Sequence, residues 1–380
     1  MSYERYLTPY IKEDVIEKVV LIGGPRQVGK TTLALQFLAP PKKSHENYLN
    51  WDSLADRERM RQFQFGPNAM VIFDEIHKFK SWRNLVKAFY DKLYPEKKLI
   101  VTGSAKLDFY KRGGDSMLGR YFYYRLHPIT LNEFGNSQSD LEALLLFGGF
   151  PEPLYKANHR FLKRWQNEII EKIVREDVND LENIKDLSAM EILSATLPSR
   201  VGSPLSINSL REDLGVSFDT VERWVQILER VFLVYRIMPF GSPKIRAVKK
   251  EKKLYFWNWS FVENEGARWE NMVACHLLKY CDFMKDVNGE KMELRFLRDV
   301  DGREIDFIIL QNGKPIMAIE CKTGEKAPTR WAEYFRQRTK IPLFYQVHKG
   351  SRDYGQADKN IRVIPLTTFC SEILTMTQQD

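Results

Sequence analysis

The sequence predicts an α/β fold for its N-terminal third, a mainly parallel sheet with helices on both faces. Three observations carry that prediction. First, apolar runs of strand length recur at Val19–Ile22, Tyr48–Asn50, Met70–Phe73, Leu99–Thr102 and Tyr121–Leu126, with helical stretches such as Trp82–Leu93 between them. Alternating strands and helices favour a parallel sheet. Second, Gly24-Pro25-Arg26-Gln27-Val28-Gly29-Lys30-Thr31 fits the pattern G-x-x-x-x-G-K-[ST] between the run Lys18–Ile22 and the helical stretch Thr32–Leu38. Third, the apolar strand Ala69–Phe73 ends in two carboxylates, Asp74 and Glu75.

The glycine-rich stretch is a phosphate-binding loop by its chemistry. Unpaired N–H groups and the positive end of a helix dipole attract concentrated negative charge. Gly24 and Gly29 let the backbone wrap the anion, with Pro25, Arg26, Gln27, Val28 and Thr32 completing the cradle. Lys30 is expected to reach the β- and γ-phosphates, and Thr31 to place its hydroxyl on Mg2+. ATP with Mg2+ is therefore the expected ligand. Asp74 would serve the same metal, and Glu75 would orient and polarise the attacking water. The run Leu99–Thr102 continues into Gly103-Ser104, where Ser104 fits either a γ-phosphate sensor or a plain strand exit. Arg120, ahead of the last strand, fits either an arginine finger completing a neighbouring subunit's site or a solvated surface residue.

A chain of 380 residues exceeds one ordinary core, so two or three domains are expected. No apolar run approaches the ~20 residues of a membrane helix, and Met1–Arg5 opens no signal peptide. The reading is a cytoplasmic protein without membrane contact. Cys275, Cys281, Cys321 and Cys370 have no C-x-x-C spacing, which favours reduced, mostly buried thiols over metal or disulfide roles. Lys plus Arg exceed Asp plus Glu by 58 to 50, a net charge of +8 that permits nucleic-acid partners without demanding them.

After a polar linker at 136–140, residues 141–200 are mostly helical, with Ile169, Ile170, Ile173 and Val174 at helical spacing. This is the expected lid or helical connector. Ser206–Ser217 reads as a helix, a glycine turn and a capping serine; Phe218–Val231 is a second helix and Phe232–Met238 a strand. Helix, turn, helix and strand together suggest a winged helix. Its second helix is a poor DNA reader. Asp219, Glu222 and Glu229 outnumber Arg223 and Arg230, giving net −1. Downstream, Arg236, Lys244, Arg246, Lys249, Lys250, Lys252 and Lys253 face one acid, Glu251. The segment Lys244–Lys253 is the better DNA contact, with a solvated charge run or a protein-docking surface as equal readings.

These motifs together resemble one family. Gly24–Thr31, Phe73-Asp74-Glu75-Ile76-His77, Thr102-Gly103-Ser104, and Gly119-Arg120 leading to His127–Phe134 look like the AAA+-type ATPases of bacteria and archaea that carry a C-terminal restriction-endonuclease-like domain. Gly148-Gly149-Phe150-Pro151-Glu152 resembles a further signature of that family, and the resemblance spans nearly the whole chain. It implies an ATPase domain at 1–135, a helical lid and winged-helix domain at 136–240, and an α/β restriction-endonuclease-like domain at 241–380. This chain departs from the family at Asn258, where members often carry Asp. The resemblance of Asp74–His77 to a helicase box is rejected, because no second domain with its own arginine motif follows.

The last region supplies its own candidate site. Arg303–Leu310 and Pro315–Lys322 read as two strands joined through Gln311–Lys314, and 267–280 reads as a helix bearing Glu270. Asp306, Glu320 and Lys322 resemble the D…E-x-K core of restriction-type nucleases, in which two acids bind a metal and the lysine helps activate water. Glu320 and Lys322 share one strand face. Asp306 joins them only with a three-residue loop or a bulge near Pro315. A regular two-residue hairpin would set it opposite Ile319, facing away.

Three functional classes follow. The first is a Mg2+-dependent ATPase coupled to DNA or a protein partner, with a homo-oligomer admitted by Arg120. The second is a nucleotide-gated binding protein with little turnover. The third is an ATP-driven nuclease.

Overall fold

The computed structural model describes residues 4–104, 117, 119–178, 186–241, 251–356 and 360–376. The chain divides into two compact units. One contains Met1–His127, Lys172–Ile184 and Arg230–Phe232; the other contains Pro128–Glu171, Lys185–Glu229 and Leu233–Asp380.

The first unit is built on strands β1 (Val19–Gly23), β2 (Tyr48–Asn50), β3 (Met70–Asp74), β4 (Lys98–Gly103) and β5 (Tyr121–Arg125). All pair in parallel, in the order β2-β3-β4-β1-β5. All five expected strands form, within one residue at each end. Helices α1 (Thr8–Asp14), α2 (Lys30–Leu35), α3 (Leu54–Gln62) and α4 (Trp82–Leu93) belong to the same unit. A parallel sheet is covered on both faces, so its strands are continuous apolar runs. Val19, Leu21, Phe73 and Val101 share one face and pack with Val86 and Phe89 of α4. Phe89 is fully buried, and its loss to alanine would cost about 3–5 kcal/mol.

Parallel register brings the C-terminal ends of β1, β3 and β4 to one edge, with Gly23 opposite Gly103. The phosphate loop and Ser104 follow those ends, and Asp74 is the last residue of β3. Arg120 precedes β5 and so lies at the other edge, where its Nε donates to Asp91 of α4 at 3.0 Å.

The second unit contains the short helices α5 (Leu131–Phe134), α6 (Gln138–Phe147), α7 (Pro151–Lys156) and α8 (His159–Lys172), then α9 (Leu187–Thr196), α10 (Ile207–Leu214) and α11 (Phe218–Arg230). The expected linker at 136–140 is mostly a helix start. Ser137 caps α6 and forms a reciprocal capping box with Asp140. Ser206 caps α10, Gly215 ends it at φ +66, and Ser217 Oγ accepts from the Thr220 amide, as the sequence indicates.

Strands β6 (Val234–Pro239), β7 (Lys253–Phe256), β8 (Met292–Arg298), β9 (Glu304–Gln311), β10 (Lys314–Cys321), β11 (Phe344–His348), β12 (Tyr354–Gln356) and β13 (Ile361–Pro365) form one sheet, ordered β12-β13-β11-β10-β9-β8-β6-β7. With it go α12 (Glu265–Asp286), α13 (Arg330–Arg336) and α14 (Leu366–Glu372). The expected boundary at 240 separates strands of this one sheet, because β6 pairs with both β7 and β8. Segment 172–184, expected in the middle domain, groups with the first unit. The paired glycines of Gly148-Gly149 mark a close approach: side chains there would collide with Asn258 and with the Ile129 carbonyl. None of the four cysteines forms a disulfide, and Cys275, Cys281 and Cys370 are buried. No helix among the described residues is long and apolar enough to cross a membrane.

Candidate functional site

The phosphate loop is held against the chain that follows β5. Gly24 and Gly29 take φ +154 and +103, which glycine adopts without strain. A side chain on Gly24 would meet the Leu126 carbonyl at 2.5 Å, so the loop also lies tight on the chain after β5. Arg5 clamps it there, donating to the carbonyls of Val28 at 2.9 Å and His127 at 2.6 Å. Sequence motifs gave no signal for Arg5. Lys30 is buried, and its Nζ donates to the Gly24 and Pro25 carbonyls at 3.0 and 2.7 Å. Burial lowers its pKa, with Glu75 and Asp74 partly offsetting.

Asp74 is the centre of a hydroxyl cage. Its Oδ2 accepts from Thr31 Oγ1 at 2.8 Å and from Tyr48 OH at 2.6 Å, and its Oδ1 accepts from Thr102 Oγ1 and the Glu75 amide. Thr31 and Asp74 were expected at one metal; Tyr48 and Thr102 were not singled out. A strand-end tyrosine on β2 becomes informative only when β2 is known to pair beside β3. Burial, and then Asp74, push the Tyr48 phenol up, so it stays a donor.

Glu75 follows in the left-handed region, at φ +56. Burial raises its pKa, as does Asp74, while Lys30 and Lys78 pull it down. Beside it, His77 is buried, and its Nε2 lies 3.2 Å from Ser104 Oγ. Burial and then Lys30 hold His77 down at about 3, so it is neutral near pH 7. Its Nδ1 lies 3.8 Å from Glu75 Oε2, too far for a hydrogen bond. Loop, Lys30, Thr31, Asp74, Glu75 and Ser104 thus come together at one sheet edge. Arg120 does not join this group.

In the second unit, Asn312 and Gly313 form a two-residue turn at φ +52 and +77, and a register shift lies between Pro315 and Met317. That bulge is the irregularity a D…E-x-K site needs. Ile319 pairs with Phe307, so Glu320 falls opposite Asp306. Asp306 Oδ2 accepts from the Cys321 amide at 2.8 Å, and Lys322 Nζ donates to Glu320 Oε1 at 2.6 Å. Burial and then Asp306 push Glu320 up to about 8.

The acids already hold a cation of their own. Lys253 is fully buried, 3.1 Å from Glu270, in contact with Glu304 and 3.8 Å from Asp306. Among the described residues no group of three or more His, Cys, Asp or Glu could hold a metal. This donor set does not fit a shared divalent ion, because the Lys253 ammonium already stands among Glu270, Glu304 and Asp306 and would repel it. The same finding removes Lys253 from the expected basic segment. Lys253 is internal, and Arg236 is clasped by Glu222 at 2.8 Å and Glu229 at 2.8 Å. Neither is available to DNA. Lys244, Arg246, Lys249 and Lys250 lie outside the described residues, and Lys252 is half-buried.

Comparison with known proteins adds the following. Residues 16–135 match the model of an AAA domain. Residues 138–264 and 265–369 match two models, each described as a domain of unknown function. Uncharacterized proteins of Mycobacterium bovis and Mycobacterium tuberculosis are each 24% identical over 240 residues, 62% of this chain and 53% of the relative. The chain thus spans about half the length of these curated relatives. An uncharacterized protein of Methanocaldococcus jannaschii is 24% identical over 386 residues, covering 84% of this chain and 78% of the relative. Among solved structures, the Thermotoga maritima RuvB Holliday junction branch migration motor is 17% identical at a TM-score of 0.30, over 60% of this chain and 87% of that one. The AAA match, on the parallel sheet and its loop, supports a nucleotide-binding P-loop ATPase domain.

Proposed function

Proceeding from an AAA-type P-loop domain over residues 16–135, we propose that the chain binds ATP with Mg2+, hydrolyses it, and couples turnover to engagement of DNA or a protein partner. The observation that carries this reading is the Thr31–Asp74 pair at 2.8 Å, set between buried Lys30 and Glu75. Hydroxyl and carboxylate oxygens suit a hard cation such as Mg2+, which would neutralise phosphate charge there. The backbone N–H groups of the loop between Gly24 and Thr32, Pro25 having none, and the Lys30 ammonium bind the phosphates. Glu75 takes the proton of the attacking water and orients it. Ser104, tethered by neutral His77, senses the terminal phosphate. Arg120 sits at the far edge of its own sheet and serves only a neighbouring copy, in a homo-oligomer.

Two observations support a binding role for the second unit. Helices α10 and α11 lead into the antiparallel pair β6/β7, with Pro204 bridged to Lys253, an arrangement that suits a winged helix. The order α12-β8-β9-β10-α13-β11, with β11 parallel to β10, suits a restriction-endonuclease-like scaffold. Lys253 inside its acids favours docking over cleavage. DNA contact would rest on Lys244, Arg246, Lys249 and Lys250 rather than on Arg236 or Lys253.

The test separates binding from turnover. Lys30→Ala should lose nucleotide binding by calorimetry. Glu75→Gln should still bind ATP but hydrolyse it about 10²–10⁴-fold more slowly. Normal turnover by Glu75→Gln removes the assignment. Low wild-type turnover with or without DNA, alongside tight binding, would favour nucleotide gating.

A further inference from the structure

The phosphate loop carries an ion pair that none of its motifs requires. Arg26 Nη1 lies 2.7 Å from Glu176 Oε2 and 3.4 Å from Asp177 Oδ1. Both acids belong to Ile173–Val178, a π-helical extension of α8 that groups with the first unit. π-Helical turns are rare and concentrate at functional positions. Asp177 is 2% exposed, and neither of its oxygens has a hydrogen-bond partner among the described residues. Leaving a buried carboxylate without hydrogen bonds costs free energy. The groups acting on it are Arg26, Glu75, Lys30 and Lys78, all at the nucleotide site. Burial, with Glu75 adding, pushes its carboxyl up to about 6.

A triphosphate brings several negative charges to the same cationic loop. It repels Asp177 and competes for Arg26, and a guanidinium binds phosphate through paired, charge-assisted hydrogen bonds. We propose that Glu176 and Asp177 are an internal anion that holds Arg26 when no nucleotide is bound, and that the nucleotide's phosphates take Arg26 from them and release segment 173–178. The proposal rests on the ATP-binding reading of the loop. It makes Arg26 the coupling residue and 173–178 the two-state element. By linkage, whatever stabilises the latched segment weakens nucleotide binding by the same factor.

Hydrogen exchange on the full-length wild type, alone and with saturating Mg2+–ATP or Mg2+–ADP, reads the segment directly. Exchange across 173–178 should rise roughly tenfold on nucleotide binding, while β1 and β3 become better protected. A rise with ATP alone assigns Arg26 to the terminal phosphate; a rise with both assigns it to the inner ones. Affinity for the same nucleotides in Asp177→Asn and in Glu176→Gln/Asp177→Asn should tighten by about tenfold, within the usual range of coupling between sites. Binding by the wild type with exchange in 173–178 unchanged or slowed overturns the latch alone. No binding by the wild type overturns the ATP reading and the latch with it. Unchanged or weaker affinity in both variants also counts against the latch, and the wild-type exchange result does not depend on how those variants fold.

Discussion

Two buried lysines, Lys30 in the first unit and Lys253 in the second, have opposite consequences. Lys30 is satisfied by two neutral carbonyls of its own loop, and neighbouring Asp74 is satisfied by the hydroxyls of Thr31, Tyr48 and Thr102. Neutral partners give way when ions of the right sign arrive, so the site can accept both a phosphate and a cation. Lys253 is satisfied by Glu270, Glu304 and Asp306. Burial works against its charge, but those acids raise its pKa overall, so the charge is locked in. A second cation there would be repelled by the ammonium already seated among those acids, while losing its own hydration. Two constellations that look equally catalytic in sequence thus differ in what already balances their charge.

That contrast can be broken by removing Lys253. Lys253→Met should destabilise the chain by about 3–5 kcal/mol at neutral pH, because three acids lose their buried partner. Chemical denaturation measures this. The stabilisation from a raised lysine pKa is fully present below about 10.4 and is lost only as pH rises through the folded value. The loss on substitution should therefore be complete at pH 7. If Mn2+ then restores stability to Lys253→Met and leaves the wild type unmoved, the ammonium does stand where a divalent ion would. Metal binding by the wild type at these acids would sink the contrast.

The first site can be sharpened through Tyr48. Tyr48→Phe removes one neutral donor from Asp74 and should raise the Mg2+ concentration for half-maximal turnover about tenfold, as loss of an outer-shell partner usually does. ATP affinity measured without metal should not change. A matched loss of both would mean that Tyr48 is holding the loop rather than the carboxylate.

The smallest effect concerns Glu320. Its pKa is raised to about 8 from 4.5, so the folded state binds more protons than the unfolded state between those values. Stability should fall as pH rises through that window. Glu320→Gln should flatten this slope and raise the melting temperature at pH 8, by roughly 2–4 °C for each kcal/mol recovered. An unchanged pH slope would show that Glu320 is ionised throughout.

Much of this was legible from single residues. The five strands of the first unit, α4, the helix pair α10 and α11 and the Asn312-Gly313 turn follow from apolar periodicity and from where glycine and serine sit. The bulge near Pro315 was legible as a condition, since Asp306 and Glu320 share a face only if one residue is extruded. Arg5, Tyr48, Glu176 and Asp177 carried no usable signal, and His77 entered only as part of a motif, without a role. Each matters through a partner distant in sequence, and one tyrosine or aspartate reads like any other until its neighbour is known. Arg236 and Lys253 were misplaced for the same reason. Within a basic run they read as solvated charge, whereas Glu222, Glu229, Glu270 and Glu304 reach them only through packing.

By itself the sequence determined the α/β class of the first unit, its phosphate loop and the strand ends that serve it, because local spacing dictates strands, turns and which residues follow one another at an edge. Tertiary structure alone decided which counter-charge each buried lysine meets and which acids reach Arg26. Those contacts join residues 17 to 151 positions apart, and no periodicity encodes a partner at that range.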